Sequence, residues 1–213
     1  MRQTRNLLYR LRYRGFESLS LRHFLLTRIL LALLTSVAIA ANAADVGGVS
    51  LDDRVWLQAV DLTLNGAGVR KRFMFDVYVI GLYLPEKKND AAAVVAMPGS
   101  KRVAIRMLRD VGAEQFSSAL TDGVRANHSE DEFRRLEPRL RELGGTMGTL
   151  KEAKKGMAIS LDFAGSSTQL VVDGKPVGKP IAGEDFYRAL LRIWLGEKPV
   201  QEDLKKSLLG QGR

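Results

Sequence analysis

The amino-acid sequence predicts an α+β domain with about six or seven mostly antiparallel strands and four or five helices. Three observations support this fold class. The predicted strands follow one another along the chain, the helices come as one inserted block and a C-terminal group, and alternating βαβ units are absent. We therefore expect a large antiparallel sheet with helices packed against it.

The first half of the predicted domain is mainly β-structure. Short strands are predicted at residues 55–60 and 62–64, ended by a tight turn at Asn65-Gly66-Ala67-Gly68. Residues 69–84 are rich in aromatic and β-branched types, which predicts one long strand, or two strands joined by a bend, ended by Pro85.

Helices dominate the middle and the end. An amphipathic pattern predicts a helix at 113–127, and Ser129 with Glu132 forms a capping box that opens another helix, expected to stop at Gly144-Gly145. Asp173-Gly174 between two apolar strands predicts a hairpin. The last stretch, residues 183–209, is predicted to be helical.

Charge and composition exclude several functions. The formal net charge is +9, but residues 1–43 hold seven Arg and one Glu, which leaves only +3 for the rest of the chain. This small balance of interleaved charges gives no stripe for nucleic acid. The chain has no Cys, and His128 is the only His after residue 43. We therefore expect no metal site and no cofactor.

The N-terminus is typical of an export signal. Basic residues precede a mostly apolar stretch at 24–40 that ends in Ala41-Asn42-Ala43, which predicts cleavage after Ala43 and a periplasmic mature domain at 44–213 without a stable membrane span. The alternative is an uncleaved anchor, but the uncharged stretch has only 12 residues. A further hypothesis makes residues 1–20 a gene-calling extension, since residues 15–18 are a tetrapeptide that a tRNA T-arm would encode.

Four segments together resemble a known family. They are NGAGVR at 65–70, FDVYVIGLYL at 75–84, Gln115-Phe116-Ser117, and GEDFYRALLRIWLG at 183–196. In this order the segments resemble the chalcone isomerase-like superfamily, and the signal makes its bacterial exported branch the nearest match. The resemblance covers most of residues 47–210. It implies an open-faced sandwich, in which a large antiparallel sheet carries helices on one face and a ligand cleft between the layers.

The resemblance also implies where to look for activity. Plant enzymes of the family close a chalcone to a flavanone with an Arg, supported by Thr, Tyr and Asn side chains. Arg70 matches the Arg, whereas Tyr78, Phe116 and Gly123 stand at the other three positions. Because most of the polar set is missing, we do not expect chalcone isomerase activity.

The noncatalytic fatty-acid-binding branch of the family implies another use of the same residues. There an Arg and a Tyr hold a carboxylate, and Arg70 and Tyr78 are similar to that pair. Tyr83 and Phe116 are expected to line the apolar part of the cleft. We therefore expect an exported, noncatalytic protein that binds a small amphipathic carboxylate such as a fatty acid.

Three alternatives remain open from the sequence. Asp76 or another acid could pair with Arg70, which would leave Tyr78 as a core-edge tyrosine. The protein could be an intramolecular lyase or isomerase in which Arg70 is the electrophilic stabiliser and Tyr78 the proton donor. It could also be an interaction module that meets an unknown protein partner in the envelope.

Overall fold

The computed structural model describes residues 43–212. Apart from Ala43, the predicted signal peptide and the hypothetical gene-calling extension lie outside these residues. Within the described part of the chain, no helix is both long and apolar enough to cross a membrane.

Within residues 43–212, eleven strands form one large sheet and two small ones. The strands are β1 (Ala43–Val46), β2 (Val49–Asp52), β3 (Arg54–Leu57), β4 (Val60–Arg72), β5 (Phe75–Leu84), β6 (Lys101–Met107), β7 (Val111–Gly112), β8 (Glu152–Ala153), β9 (Ala158–Ala164), β10 (Ser167–Val172) and β11 (Lys175–Ala182). The large sheet has seven strands in the order β11-β10-β9-β6-β5-β4-β3. All its neighbours are antiparallel, as the consecutive strands in the sequence predicted.

Five helices of the described part of the chain pack on one side of this sheet. They are α1 (Ala91–Ala96), α2 (Ala113–Ala126), α3 (Glu130–Gly148), α4 (Glu184–Leu195) and α5 (Glu202–Leu208). Their apolar stripes bury residues such as Phe133, Leu190 and Leu204 in one core with the sheet. The α+β class and the large antiparallel sheet with a helical layer are confirmed.

Strand β5 shows how the two faces of the sheet differ. Ile80, Leu82 and Leu84 face the helices and belong to the main core. Val79 and Tyr83 point the other way and pack in a smaller core with residues of the β1–β2 hairpin. Because successive side chains of a strand alternate between faces, position in β5 decides which core a residue joins.

The tight turn predicted at Asn65-Gly66-Ala67-Gly68 is wrong. These residues lie inside β4, where the pairing with β5 shifts between Leu64 and Gly66. The glycines serve close packing instead: a Cβ on Gly66 would lie 2.1 Å from the backbone oxygen of Ser207 in α5. A strand interior with glycine is typical of such a close backbone approach.

The shift at Asn65 exchanges the faces of β4. Leu62 and Leu64, before it, join the smaller core, whereas Gly66 and Gly68, after it, contact α5. The Asn65 side chain fixes this bulge by donating to the carbonyl oxygens of Leu208 at 2.7 Å and Lys88 at 2.9 Å. Its oxygen accepts from the Lys88 amide at 2.7 Å.

Helix α3 begins as predicted but ends later. The Ser129–Glu132 capping box is confirmed, yet the helix continues through Gly144-Gly145 to Gly148. Glycine inside a helix costs only about 1 kcal/mol relative to alanine, and Leu143 and Met147 extend the buried stripe past the pair. The predicted hairpin at Asp173-Gly174 is confirmed, since both residues adopt positive φ angles and Val172 pairs with Lys175.

We predict that Gly66→Ala lowers the free energy of unfolding by about 3 kcal/mol or more, because overpacking against backbone is poorly relieved. The added Cβ would meet the Ser207 and Leu208 backbone at 2.1 and 2.7 Å. Gly145→Ala is the matched control, since it meets nothing within 4 Å and should stabilise the helix slightly. Urea unfolding of both variants measures the difference, and equal stabilities would contradict the packing argument.

A lysine is fully buried at the start of β6. The Lys101 side chain is 0% exposed, and its ammonium donates to the carbonyl oxygens of Met97 and Gly99 at the end of α1. Burial lowers the pKa of Lys101 from 10.5 to about 8, an effect that nearby Glu184 opposes and Arg188 reinforces. The charged form is therefore disfavoured in the folded protein.

This shift makes stability depend on alkaline pH. Between pH 8 and 10.5 the unfolded chain binds more protons at Lys101 than the folded chain, so raising the pH favours folding. We expect the unfolding free energy of the wild type to rise over this window, relative to Lys101→Met, by up to about 3 kcal/mol. Urea titrations of both proteins test this, and parallel pH profiles would disprove the assignment to Lys101.

Candidate functional site

A cavity of about 840 Å³ lies between the end of the β4–β5 hairpin, helix α2 and the segment that joins α4 to α5. Its size falls within the range of about 300–1,000 Å³ that small-molecule sites occupy. Apolar side chains, among them Val77, Leu120 and Ile193, form part of the wall. The wall also holds four basic and two acidic residues: Arg70, Arg72, Arg109, Lys198, Asp110 and Asp122.

Arg70 reaches the cavity because of the face exchange in β4. After the bulge at Asn65, Gly66, Gly68 and Arg70 lie on the helix side, and Arg70 pairs with Tyr78 across the β4–β5 ladder. A second shift in pairing follows between Arg70 and Lys71. Gln201, just before α5, fixes this point, since its side-chain oxygen accepts from the Lys71 amide at 2.8 Å.

The guanidinium of Arg70 is incompletely satisfied. Its Nη1 donates to the Lys71 carbonyl oxygen and, at 3.4 Å, to the side-chain oxygen of Gln201. Within residues 43–212, no carboxylate lies within 4 Å of it. The alternative that Asp76 pairs with Arg70 is wrong, because Asp76 pairs with Lys71 at 3.5 Å.

Tyr78 is held at the cavity wall by a tryptophan. The ring is 7% exposed, and its hydroxyl oxygen accepts a hydrogen bond from the Trp194 indole nitrogen at 3.0 Å. Burial raises the pKa of Tyr78 above its ordinary value of 10, although Trp194 and Arg70 both act against the rise. The hydroxyl therefore keeps its proton at neutral pH and can donate it to an acceptor.

Arg70 and Tyr78 keep donor groups that have no acceptor among the described residues, namely Nε and Nη2 of Arg70 and the hydroxyl of Tyr78. Trp194 and Arg70 can only donate, and the Tyr78 oxygen already accepts from Trp194, so the Tyr78 hydroxyl proton is free for a further partner. Among the described residues, the Tyr78 hydroxyl donates to none. Such a group of donors beside a cation is complementary to a carboxylate or another small anion.

Phe116 lies in the cavity wall, as expected. Its ring meets Tyr78 edge-on, with the ring centroids 6.1 Å apart at an interplanar angle of 84°. Two turns further along α2, Gly123 lets the helices approach, because a Cβ there would lie 2.8 Å from Ile193. The structure thus brings together three of the four predicted ligand-binding residues: Arg70, Tyr78 and Phe116.

The fourth predicted residue, Tyr83, lies elsewhere, and this expectation is wrong. Tyr83 faces the side of the sheet opposite the helices, in the smaller core, and does not line the cavity. Its hydroxyl donates to the Asp52 carbonyl oxygen at 2.9 Å. Burial, with some help from Asp52, raises the pKa of Tyr83 to about 12. The odd spacing from Tyr78 already places it on the other face.

Several residues in or beside the cavity were not predicted. Trp194 does not line the cavity but bonds Tyr78, and only its indole N–H, which needs a partner when buried, signals this bond. Gln201 carries no sequence signal because its partner strand lies far away in the chain. Arg72 ends β4 and Arg109 follows the end of β6, and only the pairing of both strands with β5 brings them to one cavity.

Among residues 43–212 there is no group of three or more His, Asp or Glu side chains that could hold a metal ion. The cavity wall offers hydrogen-bond donors, apolar surface and charged groups, of which the basic ones are the more numerous.

Comparison with known proteins identifies the fold. A search of curated proteins finds no match. Among solved structures, the crystal structure of a fatty-acid binding protein from Arabidopsis thaliana matches with a TM-score of 0.61 and 13% sequence identity, covering 79% of this chain and 96% of that one. At this identity the likeness concerns the fold alone. The family described as chalcone isomerase-like matches residues 43–210, and the chain therefore belongs to the chalcone isomerase-like family.

Proposed function

We propose that the protein is a noncatalytic binder of a fatty acid, whose carboxylate lies between Arg70 and Tyr78 and whose acyl chain fills the cavity. The observation on which this rests is that Nε and Nη2 of Arg70 and the hydroxyl of Tyr78 have no acceptor among the described residues at the cavity wall. A guanidinium binds a carboxylate with two parallel bonds, and the phenol can add a third.

The apolar wall supports an acyl chain as the rest of the ligand. Burial gains about 0.8 kcal/mol per methylene, so fourteen methylenes give about 11 kcal/mol. Association costs about 4–15 kcal/mol, so binding depends on enclosing most of the chain. A cavity of about 840 Å³ offers room for this.

The surroundings favour binding over catalysis. The positions that the family resemblance assigns to an enzyme's Tyr and Asn are Phe116 and Gly123, one of which packs edge-on against Tyr78 and the other against Ile193. Neither can donate a side-chain hydrogen bond to a reacting oxygen. A solved structure of similar fold is a fatty-acid binding protein, which agrees with a binding role.

We predict that Arg70→Ala weakens binding of palmitate by about 10- to 100-fold, because a hydrogen bond to a charged group is worth about 1.5–3 kcal/mol. Tyr78→Phe should weaken it by about fivefold, since a neutral hydrogen bond is worth about 1 kcal/mol. Isothermal titration calorimetry of the purified proteins measures both effects.

Two controls make this test specific. Arg106→Ala removes an exposed arginine that bonds the Gly156 carbonyl oxygen and does not line the cavity, so it should bind palmitate like the wild type. Hexadecanol replaces the carboxylate by a hydroxyl, so its binding should be nearly insensitive to Arg70→Ala. The proposal fails if Arg70→Ala binds palmitate as tightly as the wild type, or if the wild type binds neither compound.

We also propose that residues 1–43 direct export and are removed, so that the protein works outside the cytoplasm. The support is the sequence pattern of basic residues, apolar stretch and Ala41-Asn42-Ala43. The expected N-terminus of the protein isolated from cells is Ala44, as read by mass spectrometry of its N-terminal peptide. A peptide that spans residues 43 and 44 in the isolated protein would support the uncleaved anchor instead.

A further inference from the structure

The turn between β4 and β5 exposes an unusual amount of apolar surface. Phe73 is 91% exposed, Met74 86% and Phe75 51%. Residues 71–76 are all exposed, so the turn projects from the domain without covering any core. We call residues 71–76 the hairpin tip.

The local backbone gives no reason for apolar residues there. Arg72 pairs with Phe75, which leaves Phe73-Met74 as a two-residue turn, and Phe73 adopts a φ of 53°. Glycine and asparagine are the usual residues at such positions, and a bulky side chain with positive φ is strained. The sequence thus keeps an exposed phenylalanine where both solvation and backbone geometry favour another residue.

Basic groups surround this apolar tip. The Arg109 guanidinium lies 4.6 Å above the Phe75 ring, and that of Arg72 lies 6.0 Å from the Phe73 ring. Lys71 is balanced by Asp76 at 3.5 Å. Within the described chain, neither Arg72 nor Arg109 has a carboxylate within 4 Å, so the tip has a positive rim.

We propose that the hairpin tip docks on an anionic lipid bilayer, with Phe73 and Met74 inserted at the boundary of headgroups and acyl chains and with Arg72 and Arg109 on the anionic headgroups. Exposed aromatic and long apolar side chains beside cations are typical of such interfacial contacts. A protein partner fits less well, because a stable protein interface buries about 800 Å² on each side, which a narrow convex turn does not offer.

The hairpin tip lies at the mouth of the cavity, so docking on a bilayer would have a functional consequence. Arg72, Phe73, Phe75 and Arg109 also line the cavity, so a docked tip brings the cavity mouth to the lipid surface. This consequence rests on the proposed fatty-acid binding, whereas the docking itself does not. A bilayer contact would let an acyl chain pass between membrane and cavity with little exposure to water.

The absence of cysteine allows a direct test on the full chain. Met74→Cys is labelled with an environment-sensitive fluorophore and mixed with vesicles of phosphatidylglycerol and phosphatidylcholine, part of the latter brominated in its acyl chains. We expect a blue shift and quenching at position 74. The control is Ala59→Cys, labelled in the turn between β3 and β4, at the other end of β4; it should report neither change. Because the probe is local, contact of the N-terminal segment with lipid does not produce the signal.

Two variants of the labelled protein test the two parts of the contact. Phe73→Asn tolerates the positive φ and removes the aromatic ring, so it should reduce quenching at position 74. Arg72→Gln with Arg109→Gln should raise the lipid concentration needed for half-maximal signal by about 30-fold, since each cation contributes about 1 kcal/mol at an anionic surface.

Three results would overturn docking. They are a probe at position 74 that stays in water, equal signals at positions 74 and 59, and a signal unaffected by removing either phosphatidylglycerol or the two arginines. A tip buried by a protein partner or by a second copy would also contradict docking, because it would give a blue shift without quenching by the brominated lipid. Palmitate binding is measured without vesicles, so failure of docking and failure of fatty-acid binding are told apart.

Discussion

The arrangement of the cavity depends on the bulge that Asn65 holds in β4. Without it, the alternation of side chains would turn Arg70 to the face that carries Leu62 and Leu64, away from the helices. The Asn65 amide is 6% exposed and donates to the Leu208 carbonyl at the end of α5, while the same helix rests on Gly66. The buried amide of Asn65 and the absence of a side chain at Gly66 therefore decide on which side of the sheet the Arg70 guanidinium lies.

The Arg70 guanidinium does not stabilise the fold. A partly buried guanidinium with no carboxylate gains little from Coulomb attraction and still bears a desolvation cost. The Gln201 side chain and the Lys71 carbonyl group accept from Arg70, but both are neutral dipoles, so they offset the desolvation cost only in part. The Tyr78 oxygen accepts a hydrogen bond from Trp194, and the Tyr78 hydroxyl remains able to donate. The entry of the proposed carboxylate would lower this desolvation cost, and this is the physical basis of the proposed binding site.

The sequence was informative wherever local chemistry decides structure. The Asp173-Gly174 hairpin, the Ser129 cap and the alternation along β5 depend on neighbouring residues, and the fold class depends on their order. The prediction of a turn at residues 65–68 was wrong because Gly66 and Gly68 pack against α5, about 140 residues further along the chain. No local rule contains that contact. Arg70, Tyr78 and Phe116 came from the family resemblance, which carries long-range information that single-sequence patterns lack.

The position of Tyr83 follows from the alternation of side chains along a strand. It lies five residues from Tyr78 on an unbroken strand, and an odd separation puts two side chains on opposite faces. Trp194 and Gln201 are different, because their role exists only once α4 and α5 have packed against β4 and β5. The roles of Trp194 and Gln201 thus depend on contacts between elements that are distant in the chain, and local sequence patterns do not predict such contacts.

The β4–β5 hairpin links the two proposals geometrically. The Arg70–Tyr78 pair lies two residues along β4 from Arg72, the last residue before the turn, a rise of about 7 Å. A fatty acid in a bilayer holds its carboxylate among the headgroups and its chain below them. A docked tip would leave that carboxylate near Arg72 and Arg109, close to Arg70. The chain could then move between two apolar media while its charge stays beside cations, which avoids drawing an unpaired carboxylate through an apolar core.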